Sequence, residues 1–87
     1  MQLDRDRVFD RQFKKLHEEL REKLRERVHL LSIDEFSPLL KNHKVSPPFE
    51  GYRSINITGD WRLVYKKLGP DSYYLRAVST HHQLFGT

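Results

Sequence analysis

The 87-residue chain has no cysteine. That excludes a disulfide framework and any zinc site built on cysteine. It has only four glycines and four prolines, and no low-complexity tract or internal repeat. No apolar run approaches the roughly 20 residues that a membrane-spanning helix needs. The opening stretch MQLDRDRVFDRQ is too charged to serve as a signal peptide. These absences predict a cytoplasmic protein with no membrane partner.

What is present suits a folded, well-solvated chain: 37% of residues are hydrophobic and 32% are charged. Residues 1–87 read as one domain, too small to hold much stability in reserve. The net charge is +4. Residues 1–40 balance 9 basic against 9 acidic side chains, whereas residues 41–87 carry 7 basic and 3 acidic ones. The positive excess therefore lies in the half with strand character. A basic sheet attracts polyanions, of which nucleic acid is the commonest, although solubilising charge gives the same balance.

Met1–Arg7 alternates weakly and predicts a short edge strand. Phe9, Phe13, Leu16, Leu20, Leu24, Val28 and Leu31 then recur three or four residues apart, which is one apolar stripe on helix. The stripe is long enough for two helices, with a bend at His17-Glu18-Glu19. Ser32-Ile33-Asp34 ends it. Phe36, Leu39 and Leu40 are expected to cover an end of the core, with Pro38 in the first turn of a short helix. Lys41–Glu50 reads as irregular, since Pro47-Pro48 blocks helix and central strand alike. Three strands follow, over Tyr52–Ile57, Trp61–Lys67 and Ser72–Val78, the last two joined by a turn at Gly69-Pro70-Asp71. The predicted class is α+β: a short N-terminal strand, one or two helices, then a three-stranded antiparallel meander with the helices on one sheet face.

Two registers are open to the first hairpin. A two-residue turn at Thr58-Gly59 pairs Ile55 with Arg62 and mixes polar and apolar groups on both faces. A three-residue loop, Thr58 to Asp60, pairs Asn56 with Arg62, Ile55 with Leu63 and Ile57 with Trp61. One face then carries Ile55, Ile57, Trp61, Leu63 and Tyr65. The other carries Tyr52, Ser54, Asn56, Arg62, Val64 and Lys66. Burial of one face selects the second register, because a one-residue slip inverts every side chain. An uncovered face with Arg and Lys suits a phosphate backbone, and is also what many antiparallel sheets present to water.

The segment His43–Gly86 resembles the YafQ-like branch of the RelE/ParE toxin superfamily. The resemblance rests on Asn42-His43, on GYR at 51–53, on GDWRLVYKK at 59–67 and on THHQLFG at 80–86. The N-terminal half agrees only in its strand-then-helices pattern. The resemblance implies a toxin of a type II toxin–antitoxin pair: an mRNA endonuclease that enters the ribosomal A site and needs neither metal nor cofactor. It implies attack of the ribose 2′-hydroxyl on the adjacent phosphate. It also implies a cognate antitoxin that lays a helix on the domain and blocks or distorts the basic face.

Carried over residue by residue, the loop histidine of YafQ-like members falls on His43 and the hairpin acid on Asp60. The histidine after the last strand falls on His81, and the aromatic four residues later on Phe85. A further family histidine falls on Asn56, whose amide exchanges no proton near neutral pH. Arg62 matches the arginine that RelE-type members place in a similar Arg-Leu-Val-Tyr run.

Strand cleavage needs a base for the 2′-OH, an acid for the leaving 5′-oxygen and charge to hold the phosphorane. Histidine serves the first two because it titrates near neutrality. His81 is the first candidate for acid or base. Asp60 would be the base or orient a histidine, and Arg62 would hold the phosphorane. His43 would take the other proton or bind phosphate. Phe85 would stack on a base, and Lys41, Lys44 and Lys66 would anchor the backbone, with Asn56 and Tyr52 on the same face.

Blander roles stand beside these. Asp60 is also a common turn residue, Phe85 a plug for the core edge and Tyr52 a structural aromatic. His43, Asp60, His81 and His82 would be the ligands of a metal site, but they lack tight ligand spacing. Two non-nuclease functions on the same fold remain alternatives: a ParE-like gyrase inhibitor, and a degenerate toxin that only binds antitoxin or RNA.

Overall fold

The structure, a computed structural model, describes residues 1–86. β1 (Gln2–Arg5) ends at Asp6, whose carboxylate accepts the Val8 N–H at 2.8 Å. That cap starts α1 (Arg7–Lys15). The apolar stripe breaks where a bend was expected, since α2 (Glu18–Ile33) begins after His17. Arg21 bridges the break. Its side chain donates to the carbonyls of Phe13 (3.3 Å) and Lys14 (2.8 Å) in the last turn of α1, the first of which also accepts the Leu16 N–H at 3.1 Å. Phe9, Leu16, Leu20, Leu24, Val28 and Leu31 are buried as the stripe requires.

Residues 34–40 form turns, so the short helix expected at Pro38 is absent. Leu40 is fully buried, but Phe36 and Leu39 are 65% and 62% exposed and do not cover the core. Without a helix their side chains share no face. The Leu40 carbonyl instead accepts the Asn56 N–H at 2.7 Å, which ties this segment to the sheet edge. The supposedly irregular stretch then contributes a two-residue strand, β2 (His43–Lys44).

β3 (Arg53–Asn56), β4 (Trp61–Gly69) and β5 (Ser72–Thr80) form the expected meander. The sheet order is β1-β5-β4-β3-β2, with β1 parallel to β5 and the other neighbours antiparallel. The hairpin takes the three-residue register: Asn56 faces Arg62, Ile55 faces Leu63, and the Ile57 N–H donates to the Trp61 carbonyl at 2.9 Å. Ile55, Ile57, Leu63, Tyr65, Tyr73, Leu75 and Val78 pack with the α1–α2 stripe into the main core, with Trp61 at its margin.

The opposite face is less open than the alternation predicts. Val64 and Ala77 are buried there beneath Leu84, with Phe49, Tyr52 and Phe85 around them. The cover is α3 (His81–Phe85), a five-residue helix capped by Thr80, whose hydroxyl accepts the Gln83 N–H at 3.2 Å. Gly86 closes it at φ +74°, a left-handed conformation that suits glycine. Among the described residues no helix is long and apolar enough to cross a membrane.

Candidate active site

Cross-strand pairing arranges the outer face in rows, because directly opposed residues share a side. His43, Ser54, Val64 and Ala77 form one row across β2, β3, β4 and β5. Asn56, Arg62 and Ser79 form the next. Lys66 and Tyr74 are opposed in a third, and the Lys66 ammonium sits 5.5 Å over the Tyr52 ring.

α3 brings its residues onto this face from above the sheet. His81 and Phe85 are one helical turn apart, so their rings meet, with centroids 5.1 Å apart. An extended segment would not have joined them. The His81 N–H donates to the Asp60 carbonyl at 2.9 Å, which fastens the start of α3 to the hairpin tip. Two candidates far apart in sequence thus become neighbours through the backbone.

His43, Lys44, His81 and Phe85 line one open groove of about 280 Å³. A second groove of about 580 Å³ continues from Lys44 and Val45 past Tyr52 and Lys66. Asp60, Arg62, Asn56 and Lys41 line neither groove. Lys41 acts through its backbone: its carbonyl lies 2.8 Å from His43 Nδ1. A carbonyl only accepts, so Nδ1 carries the proton in this contact. One Arg62 nitrogen, Nη1, contacts the carbonyls of Thr58, Gly59 and Trp61 at 3.1, 3.1 and 3.2 Å. Arg62 therefore braces the hairpin tip that carries Asp60.

Asn42 was overlooked in the sequence except as half of Asn42-His43. Its amide donates to the Glu35 carbonyl (3.0 Å) and the Tyr65 hydroxyl (2.7 Å), while its oxygen accepts from Arg53 Nε (2.7 Å). This clamp fixes the backbone next to His43. Burial pushes the Tyr65 hydroxyl above its ordinary pKa, which keeps it neutral within the clamp. Among the described residues no three His, Asp or Glu side chains cluster closely enough to hold a metal ion. Lys41, Lys44 and Lys66 make no ion pair among those residues. The site is thus an open basic face with two imidazoles and an aromatic at one end.

The family profile for YafQ, the bacterial toxin of type II toxin–antitoxin systems, matches residues 1–86. The chain belongs to the YafQ toxin family. The match includes the N-terminal half, where the resemblance read from sequence rested on pattern alone. YafQ from E. coli strain BL21(DE3) is 26% identical, with a TM-score of 0.79 over 97% of each chain. YafQ in the E. coli DinJ–YafQ complex is 27% identical, with a TM-score of 0.76 over 97% of each chain. The YoeB/ParE toxin from Agrobacterium tumefaciens shares the fold at 20% identity, with a TM-score of 0.77 over 93% of this chain and 99% of its own. No curated protein compared with the chain matches it. YafQ membership makes this chain a toxin of the type II toxin–antitoxin class.

Proposed function

We propose that this toxin is a metal-independent endoribonuclease that cleaves mRNA in the ribosomal A site. The observation that carries the reading is the groove shared by His43, His81, Phe85 and Lys44. It gathers two proton-exchanging groups, a stacking surface and a cation at the edge of a basic face.

In this reading His43 Nε2 takes the proton from the ribose 2′-hydroxyl. The freed oxygen attacks the adjacent phosphorus and forms a 2′,3′-cyclic phosphate. The bond from phosphorus to the 5′-oxygen breaks, and His81 protonates that oxygen as it leaves. The contact between His43 Nδ1 and the Lys41 carbonyl holds the ring in the tautomer needed by a base. Lys44 offsets the charge that builds on phosphorus. Phe85 stacks on a base beside the cut, and Lys66 and Tyr52, which line the second groove, hold the flanking strand. Arg62 keeps the hairpin rigid, with Asn56 opposite it, and Asp60 adds negative charge beside the start of α3. E. coli YafQ is found with DinJ, and a cognate antitoxin is proposed as the partner here.

His81→Ala should lower cleavage of translated message by about 10²–10⁴-fold, the range for losing a general acid or base. Wild-type products should carry 5′-hydroxyl ends, and cleavage should persist in EDTA. Undiminished cleavage by folded His81→Ala protein, or 5′-phosphate ends, would refute the mechanism.

A further inference from the structure

Arg76 belongs to none of the groups above. β5 reaches it through a register shift: Val64 opposes Ala77, whereas the next residue, Tyr65, opposes Leu75. Arg76 is the extra residue of that bulge. The alternation confirms the shift, since Tyr73, Leu75 and Val78 face the helices while Ala77 packs on the outer face. Bulges re-aim side chains, and this one turns Arg76 outward with Ala77.

Two neighbours hold the Arg76 head. Its guanidinium carbon lies 5.6 Å over the Phe49 ring. Its Nη1 is 3.6 Å from Asp6 Oδ1, too long for a hydrogen bond. Asp6 already accepts the Val8 N–H at 2.8 Å and the Tyr74 hydroxyl at 2.6 Å. Arg76 is therefore oriented, yet no hydrogen bond occupies its donors among the described residues. The other outer-face arginine, Arg62, has Nη1 on three turn carbonyls.

The same Phe49 ring meets Phe85 edge-on at 6.1 Å, and Phe85 meets His81 at 5.1 Å. A slab of rings thus runs from His81 to Arg76. We propose that Arg76 is a phosphate-binding residue that grips the RNA backbone beside the cut, on the side of the slab away from His81. This rests on the nuclease reading above. A guanidinium fork fits a phosphate with two parallel N–H bonds, and its packing on Phe49 reduces the ordering cost. Two phenyl rings separate it from His81, so it holds a flanking phosphate and takes no part in proton transfer.

The test measures binding of a 2′-O-methylated single-stranded RNA, which cannot be cut because its nucleophile is blocked. Arg76→Ala should weaken binding about tenfold at low salt and flatten the slope of log affinity against log salt by about 0.7. Arg76→Lys keeps the charge without the fork and should fall between Arg76→Ala and wild type. Asp6→Asn keeps a cap for α1 and removes the competing charge, so its affinity should equal or exceed wild type. Unchanged binding by folded Arg76→Ala would overturn the proposal. So would Asp6→Asn weakening binding as much as Arg76→Ala, because the ion pair would then be merely structural. His81→Ala cleavage separates the two levels. If that variant is inactive while Arg76→Ala binds normally, only the role of Arg76 fails. If folded His81→Ala cuts normally, the nuclease reading fails first.

Discussion

The two faces of the sheet use side chains in opposite ways. The helix-covered face gathers Ile55, Leu63, Tyr65 and Leu75 into one continuous core. The outer face has a small apolar island of Val64, Ala77 and Leu84, with its cations around the margin. Charge divides the same way. On the outer side of α2, Arg25 reaches Glu18 and Glu22 at 3.3 and 2.8 Å, and Lys23 reaches Glu26 at 3.7 Å. Lys44 and Lys66 on the sheet have no such partners among the described residues. One face holds the fold, and the other leaves its positive charge available for an anion.

Substitutions separate the two. Leu63→Ala, at a fully buried position, should cost about 2–5 kcal/mol in denaturant unfolding. Leu84→Ala should cost less, about 2 kcal/mol, since Leu84 closes only the small island. It should nevertheless reduce cleavage, because α3 carries His81 and Phe85. Equal stability losses from the two variants would erase the distinction between core and island.

Asp6 joins the faces and gives the smallest effect. It caps α1 and accepts from Tyr74 on the sheet. The Tyr74 hydroxyl, then the Val8 N–H, hold its pKa below the ordinary carboxylate value. A lowered folded-state pKa adds stability that is present above the unfolded value and lost as pH falls through the folded one. The melting-temperature gap between wild type and Asp6→Asn should therefore narrow below about pH 4. A gap independent of pH would mean that the Asp6 charge adds nothing to the fold.

The hairpin register was legible because a slip of one residue would bury Arg62 in place of Leu63. The break between α1 and α2 was legible only from the polar His17-Glu18-Glu19, because the apolar spacing runs on unbroken from Phe13 through Leu16 to Leu20. β2 was hidden because two residues cannot show an alternation. The partner of β1 was hidden because parallel pairing with β5 joins opposite ends of the chain. α3 spans barely more than one turn, too short for a periodic stripe. Its signal was the cap: Thr80 three residues before Gln83, with Gly86 just past the end. The Arg76 bulge had a signal as well, since Leu75 and Val78 reach the same core from positions three apart in a strand. For the site, the family resemblance pointed to His43, His81 and Phe85, and the helical turn of α3 explains how His81 and Phe85 meet. The sequence position of Arg62 does not reveal the three turn carbonyls that its Nη1 contacts.

An NMR titration of the His81→Ala protein with single-stranded RNA tests the two-face account most directly. Amide and side-chain shifts should concentrate at His43, Lys44, Tyr52, Lys66 and Phe85, while Leu24, Val28 and His29 on the helix side stay still. Shifts centred on α2 with a silent outer face would contradict it.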